Sequence, residues 1–320
     1  MNILITGYAG FIGFNLVKKF LKINIVKNIY CLDNFNNYYD INLKKSRHVE
    51  LVNCDFNNKY KFIKLDIKDK KKLLNYFKNI KIYSVFHLAA QAGVNYSLVN
   101  PEAYLNSNLI GFFNILELIK INKIENLIYA STSSVYGNNK GYMLNETYPC
   151  QKPLQLYSAT KISNEVMAYA YANIYKFNSI GMRFFTVYGP WGRPDMAIYK
   201  FTDRIFNNKK IDLFKHKSNY VMRDFTYIDD VIESIFKIFN YLKKNKIVDV
   251  FNIGNGKPEN IRYILKCIEK EINLTAKFTT KKLSNAEMNS TYCDITKFKK
   301  KFSYSPHTKI EDGIKNFIFW

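Results

Sequence analysis

The chain of 320 residues is poor in cysteine and has no arrangement of it that chemistry could use. Cys31, Cys54, Cys150, Cys267 and Cys293 are scattered, with no CxxC pair and no histidine at ligand spacing. This argues against a metal site or a disulfide framework and predicts reduced, structural thiols. Also missing is any apolar run near the roughly 20 residues that a helix needs to cross a bilayer. The opening Met1-Asn2-Ile3-Leu4-Ile5-Thr6 lacks the basic head of a signal peptide. No membrane association and a cytoplasmic location are expected. Clustered charge is absent too. The formal net charge of +22 invites a nucleic-acid reading. Yet the basic residues are spread through Asn-, Ile-, Tyr- and Phe-rich sequence, and runs such as Lys70-Lys71-Lys72 and Lys299-Lys300-Lys301 are short. Composition drift explains the charge better than a nucleic-acid surface, so no nucleic-acid partner is expected. A basic surface can still attract an anionic small substrate.

What is present suffices for a large core: 48% of residues are hydrophobic. Through the first half, strand-length apolar runs alternate with helix-length amphipathic stretches, the pattern of a parallel sheet with crossover helices. The predicted strands are Asn2–Thr6, Asn28–Leu32, Lys61–Leu65, Ser84–Leu88, Asn126–Ser131 and Ser179–Phe184. Helical patterns lie near Phe11–Leu21, Lys68–Phe77, Pro101–Ile121 and Ser158–Tyr175. The expected fold is therefore α/β, a doubly wound parallel (Rossmann) sheet. After Phe185 the pattern becomes irregular, and Gly189-Pro190-Trp191-Gly192-Arg193-Pro194 reads as a structured loop. Asp229–Leu242 reads as a further helix and Ile247–Ile253 as a strand returning to the first sheet. The expected domains are thus residues 1–186 with about 226–253, and a smaller discontinuous lobe of about 187–225 and 254–320. No internal repeat or long disordered linker is visible.

Gly7-Tyr8-Ala9-Gly10-Phe11-Ile12-Gly13 follows the first strand directly and opens the first helix. Gly7 permits the tight turn, Gly10 lets backbone approach a pyrophosphate, and Gly13 allows close helix packing, while the helix N-terminus at Phe11 and Ile12 offers oriented N–H groups. Asp33 closes the second strand twenty residues after Gly13, where a carboxylate can bind ribose hydroxyls and repel a 2′-phosphate. NAD is favoured over NADP. The plainer alternative is a glycine-rich turn with an unrelated aspartate.

Tyr157-Ser158-Ala159-Thr160-Lys161 places a tyrosine and a lysine four residues apart on one helical face. The ammonium of Lys161 can favour the ionised phenol of Tyr157, making a base of it. Standing alone, the pattern also fits an exposed tyrosine beside a solvated lysine.

Together Gly7, Gly10, Gly13, Asp33, His87-Leu88-Ala89-Ala90-Gln91, Ser131-Thr132-Ser133-Ser134-Val135-Tyr136-Gly137 and Tyr157/Lys161 resemble the extended short-chain dehydrogenase/reductase family, essentially end to end. The resemblance implies that Asp66 contacts adenine, that Ala89 and Ala90 leave room for the cofactor, and that Asn108 lies near the active site. Asp66 read alone fits a helix N-cap before Ile67–Asp69 equally well. By the same resemblance Thr132 is the hydroxyl partner of Tyr157 and Lys161, binding the reacting sugar oxygen. Family members that eliminate water carry acidic residues at the next two positions, and decarboxylating members carry a glutamate at the second. Here stand Ser133 and Ser134, which hydrogen-bond but supply no carboxylate; they can equally serve the turn backbone. What the resemblance leaves is oxidation at C4 by NAD followed by reduction from the other face, that is, epimerisation.

Arg183-Phe184-Phe185-Thr186-Val187-Tyr188-Gly189-Pro190-Trp191-Gly192-Arg193-Pro194-Asp195-Met196 closely resembles the segment found in UDP-glucuronate 4-epimerases. It implies that Arg193 and Thr186, joined by Ser133 and Ser134, receive a uronate carboxylate. Arg193 paired with Asp195 as a loop residue is the alternative. Arg223-Asp224-Phe225-Thr226-Tyr227-Ile228-Asp229-Asp230 also resembles the family, with Arg223 on the nucleotide diphosphate; the alternative is a surface pair with Asp224. Two positions depart from the pattern: Asn95 stands where the family carries arginine, and Asn285-Ala286-Glu287 replaces a proline-glycine-aspartate turn. The implied activity is C4 epimerisation of a UDP-sugar, first of all UDP-glucuronate, for surface polysaccharide synthesis, with UDP-glucose 4-epimerase and UDP-glucuronate decarboxylase as rivals. The family also implies a homodimer built on helices around Pro101–Ile121 and Ser158–Tyr175.

Overall fold

The alternating apolar runs of the first half build parallel strands joined by helices, in a computed structural model that describes residues 1–137, 143–284 and 287–320. In order come β1 (Asn2–Thr6), α1 (Phe11–Leu21), β2 (Asn28–Asp33), α2 (Ile41–Asn53), β3 (Tyr60–Lys64), α3 (Lys70–Phe77) and β4 (Ser84–His87). Short helices α4 (Tyr96–Val99) and α5 (Pro101–Tyr104) lead through a π-helical segment, Leu105–Gly111, into α6 (Phe112–Ile121). Then follow β5 (Asn126–Thr132), a 3-10 turn at Ser133–Tyr136, α7 (Leu156–Tyr175) and β6 (Asn178–Phe184). The remainder contains β7 (Thr186–Tyr188), α8 (Ala197–Phe206), β8 (Ile211–His216), β9 (Asn219–Tyr220), β10 (Met222–Tyr227), α9 (Ile228–Leu242) and β11 (Val248–Ile253). It closes with β12 (Pro258–Asn260), α10 (Ile261–Ile272), β13 (Phe278–Lys282), α11 (Thr296–Phe302) and α12 (Ile310–Phe319).

Two units result. The first comprises Met1–Val135, Gln155–Arg183 and Ile238–Phe251, the second Tyr136–Leu154, Phe184–Lys237 and Asn252–Trp320. Residues 136–154 and about 226–237, assigned to the first domain from sequence, fall in the second unit, as do the edge residues 184–186 and 252–253. There Leu144 bridges to Cys293, and the Tyr136 hydroxyl donates to Asn252 Oδ1 at 2.6 Å. Such contacts across more than a hundred residues leave no local pattern.

The central sheet has seven strands in the order β11-β6-β5-β4-β1-β2-β3. Pairings from β3 through β2, β1 and β4 to β5 are parallel, with Thr6 opposite both Leu32 and His87. Strand order reverses between β1 and β4, which opens a crevice at their carboxyl ends. One face of the sheet packs Leu4, Leu32, Val85 and Leu127 with Phe112, Ile115 and Ile119 of α6 and Ala168 and Ala172 of α7. Each fully buried large side chain there contributes roughly 1.5–3 kcal/mol. The second unit carries a three-stranded sheet, β12-β10-β7, and another, β13-β8-β9.

Two further features differ from the sequence expectation. Helix α2 is unannounced because its buried face is Lys44, Arg47 and Leu51, so cations occupy positions where the period would show apolar residues. The expected helix over 101–121 is interrupted at 105–111, where the Asn108 carbonyl accepts from Asn164 Nδ2 at 2.6 Å and thus has a partner outside the helical ladder.

Candidate functional site

The glycine turn lies at the crevice where the strand order reverses. Gly7 follows β1 with φ +71°, a conformation that glycine adopts without strain. A Cβ on it would come within 2.6 Å of the Ala89 amide nitrogen, just beyond β4. A Cβ on Gly13 would meet the Gly7 carbonyl oxygen at 2.3 Å, and one on Gly10 would meet it at 3.0 Å. Helix α1 begins at Phe11 without a side-chain cap, and its first ladder bond runs from Phe14 N–H to Gly10 O. The first-turn amides of Phe11, Ile12 and Gly13 therefore point out of the helix end and take no side-chain cap from Gly10. Thr6 accepts the Ala89 N–H and pairs with His87 Nδ1 at 2.8 Å, locking the two strand ends together. Burial pushes His87 down to about 3, with Lys161 adding to the effect, so the ring is neutral.

Asp33 sits at the end of β2, 6% exposed, and accepts the N–H groups of Ala9 at 3.2 Å and Phe35 at 2.8 Å. Lys44 Nζ stands 4.0 Å from it, and Arg47 Nη1 donates to the Ala9 carbonyl at 2.8 Å. Burial raises the Asp33 carboxyl while Lys44 and the two amides oppose the rise. The turn, the uncapped helix and this carboxylate fit a dinucleotide, with Asp33 the group that could accept ribose hydroxyls. Lys44 and Arg47 escaped the sequence reading for the reason that hid α2. Asp66 accepts Lys68 N–H and Asn34 Nδ2. The N-cap alternative passes to Asp69, whose side chain accepts Lys72 N–H at the start of α3.

Tyr157 and Lys161 project from the same face of α7, one turn apart. Lys161 is 2% exposed, and its Nζ donates to the Ala130 carbonyl of β5 at 3.0 Å. Burial lowers it to about 8, with Glu165 opposing the shift. The Tyr157 ring packs edge-on against Tyr104, centroids 5.9 Å apart. Thr132 ends β5, where its hydroxyl accepts Ser134 N–H at 3.2 Å and lies 3.3 Å from Ser134 Oγ. Thus Thr132 itself serves the turn backbone, and Ser133 and Ser134 follow it in the 3-10 segment. Asn108 is buried: its amide donates to Gln91 O and Thr160 Oγ1, both at 3.1 Å, and its Oδ1 accepts Gln91 N–H. Thr160 in turn donates to the Tyr157 carbonyl, so Asn108 braces the helix that carries the tyrosine. Asn164 and Glu165 were not singled out from sequence, and Gln91 and Thr160 stood there only as members of their motifs; the i+4 step from Lys161 to Glu165 was the available signal.

The second unit holds the remaining candidates. Thr186 opens β7, half-buried, in register with Phe225 of β10. Arg193 grips Asp195 with Nε at 3.0 Å from Oδ1 and Nη2 on Oδ2. Arg223 donates to the carbonyls of Met288 at 2.8 Å and Met222 at 2.9 Å, with Glu287 3.6 Å away. It does not pair with Asp224, which is wholly buried and faces backbone amides. Of the two departures, Asn95 precedes α4, while Asn285 and Ala286 lie outside the described residues.

A family model described as GDP-mannose 4,6 dehydratase matches residues 4–317. An uncharacterised protein of Methanocaldococcus jannaschii is 43% identical over the whole chain and 95% of its own length. A probable UDP-glucuronate 4-epimerase of Rhizobium meliloti is 37% identical, over the whole chain and 96% of its own length. The crystal structure of UDP-glucuronic acid 4-epimerase from Bacillus cereus, in complex with UDP-glucuronic acid and NAD, superposes with a TM-score of 0.90 at 33% identity, covering 100% of this chain and 98% of that one. Across its full length, then, the chain belongs to the extended short-chain dehydrogenase/reductase family, among the NAD-dependent epimerases and dehydratases.

Proposed function

We propose that the protein is an NAD-dependent nucleotide-sugar 4-epimerase, interconverting UDP-glucuronate and UDP-galacturonate through a transient 4-keto sugar. The observation that carries this is the turn Thr132-Ser133-Ser134 at the end of the strand whose Ala130 carbonyl holds Lys161. It offers three hydroxyls and no carboxylate. Eliminating water from a hexose requires an acid for the leaving hydroxyl and a base for a carbon-bound proton; serine is neither at neutral pH.

NAD, when bound, accepts a hydride from C4 and returns it to the opposite face of the ketone. The chain's own groups do the rest. Gly7, Gly10 and Gly13 with the first-turn amides of Phe11 and Ile12 hold the pyrophosphate, Asp33 the ribose and Asp66 the adenine, with Ala89 and Ala90 leaving room and Asn108 bracing the site. The Tyr157 phenolate removes the C4 hydroxyl proton, Lys161 stabilises its charge, and Thr132 hydrogen-bonds the reacting oxygen. After the sugar turns its other face, Tyr157 gives the proton back. Thr186 and Arg193, with Ser133 and Ser134, take the uronate carboxylate; Arg223 takes the diphosphate. Fixing that carboxylate also protects the intermediate, a β-keto acid that loses carbon dioxide when its carboxylate stands perpendicular to the ketone.

The proposal includes a homodimer, a cytoplasmic location and a role in surface polysaccharide synthesis. Ile110, Phe113 and Ile121 along 101–121 and Val166, Tyr169 and Ile174 on α7 are exposed apolar side chains on the helices that the family pairs into a four-helix bundle. Among the described residues no helix is long and apolar enough to cross a membrane.

Purified protein incubated separately with UDP-glucuronate, UDP-galacturonate and UDP-glucose, with products resolved chromatographically, tests the reading. Interconversion of the two uronates is expected. Turnover of UDP-glucose without any uronate epimer rejects the substrate, and a UDP-pentose with released carbon dioxide as the main products rejects epimerisation.

A further inference from the structure

Behind the Tyr157–Lys161 couple lies a second charged pair that the reaction itself does not use. Glu165 sits one turn beyond Lys161 on α7, on the same face. Its carboxylate is gripped by Arg183 of β6, Nε to Oε1 at 3.0 Å and Nη2 to Oε2 at 2.7 Å. Ser131 Oγ donates to the same Oε1 at 2.5 Å. The two side chains are 10% and 6% exposed. Ser131 is the residue after Ala130, whose carbonyl holds Lys161 Nζ. One strand segment therefore binds the lysine through its backbone and the glutamate through its side chain.

Burying a bidentate ion pair is expensive and is weak grounds for stability by itself, since an apolar pair of similar volume often serves as well. Here the pair has a further consequence. Lys161 is deeply buried and loses the hydration that keeps an ammonium charged. Among the described residues the other titratable neighbours bring it no compensating anion. His87 on β4 is neutral, and burial raises Tyr129 on β5 well above its ordinary range. Tyr157 on α7 is the group that Lys161 must serve. Asp249 on β11 acts on Tyr129, and Arg183 on β6 is cationic. Glu165 is the carboxylate that opposes the loss of charge on Lys161.

We propose that Glu165, clamped by Arg183 and Ser131, is a positioning residue that keeps the Lys161 ammonium charged, so that this buried pair sets the pH range over which the tyrosine–lysine couple works. The proposal rests on the epimerase reading for its catalytic meaning, but the charge of Lys161 can be followed without substrate. Arg183 holds the balance in the other direction. It neutralises part of the field of Glu165, so removing either partner moves Lys161, with opposite signs.

The test is an NMR titration of protein carrying 13C-labelled lysine, with the Lys161 signal assigned by its loss in Lys161→Arg. In Glu165→Gln the midpoint of Lys161 is expected to fall by about one pH unit, and in Arg183→Met to rise, the lone carboxylate being left to act. The alkaline limb of epimerase activity should follow each shift. Because a lone buried charge can prevent folding, the double variant Glu165→Gln/Arg183→Met, which leaves neither charge, is the control; its midpoint should also fall, by less than in Glu165→Gln. A merely structural pair would lower thermal stability without moving the midpoint. An unmoved midpoint in the double variant, or shifts of one sign in both single variants, overturns the proposal. Titrations that shift as expected in a protein lacking epimerase activity would instead point at the epimerase reading.

Discussion

The Arg193 guanidinium is engaged by Asp195 two residues along its own loop, in a bidentate pair with Nε 3.0 Å from Oδ1. Under the proposed function a uronate carboxylate, which has the shape and charge of the group already bound, would have to share or replace Asp195. Arg193→Met is therefore expected to weaken UDP-glucuronate selectively. Loss of a charge-assisted pair of about 1.5–3 kcal/mol corresponds to a rise in KM of roughly 10- to 150-fold. A neutral UDP-sugar should be barely affected, since it presents no carboxylate. Comparing KM for the two in wild type and variant decides; equal losses on both would assign Arg193 to loop structure.

The glycine turn makes graded predictions. Gly13→Ala places a methyl 2.3 Å from a backbone oxygen, and Gly7→Ala combines a 2.6 Å approach to the Ala89 nitrogen with φ +71°. Neither obstacle is a flexible side chain that can step aside. Each should cost roughly 1–3 kcal/mol and lower the cofactor content of purified protein. Gly10→Ala, with its nearest contact at 3.0 Å, should melt closer to wild type. Thermal melts with cofactor quantified after denaturation check the order; a Gly10 variant less stable than the Gly13 variant would contradict it.

How much of this was legible follows from the range of each interaction. The β1–glycine turn–α1 unit announces itself because strand period, glycine spacing and the apolar face Phe14, Val17 and Phe20 all lie within twenty-one residues. The Tyr157–Lys161 couple is legible for the same reason. Helix α2 was not, since Lys44 and Arg47 face inward toward Asp33 and break the apolar period. The π-helical break at Asn108 depends on Asn164, and the Glu165–Arg183 pair on a helix meeting a strand. Arg193 showed both of its readings in sequence, and the structure supplies the Asp195 pairing.

Lys161 gives activity and stability opposite pH dependences. Burial holds it at about 8 in the folded chain, below the ordinary lysine value of 10.5, so between the two the unfolded chain binds more protons. This group's contribution to stability therefore rises with pH across that window. Epimerase activity should fall there, because the phenolate loses its cation. Urea unfolding of wild type minus Lys161→Met, set beside the activity profile, tests the pair of signs. A difference in stability that declines over the same window would show that Lys161 is not the group responsible.

Asp224 offers a test in the second unit. Wholly buried on β10, it accepts Asn255 N–H at 2.7 Å, Gly256 N–H at 2.9 Å and Cys293 N–H at 3.2 Å, tying two segments to the strand beside Arg223. Asp224→Asn turns one acceptor into a donor facing an amide, which leaves buried N–H groups unpaired at about 1–3 kcal/mol. A loss of several degrees in Tm is expected. Burial lifts the carboxyl from 3.8 to about 6, against the pull of those amides. A group raised in the folded state stabilises fully below its unfolded value and loses that contribution as pH rises through its folded value. The margin of wild type over Asp224→Asn should accordingly shrink between about pH 4 and pH 7. Unfolding measured at both ends gives the answer, and a margin that widens toward neutrality would mean that the amides, not burial, govern the carboxyl.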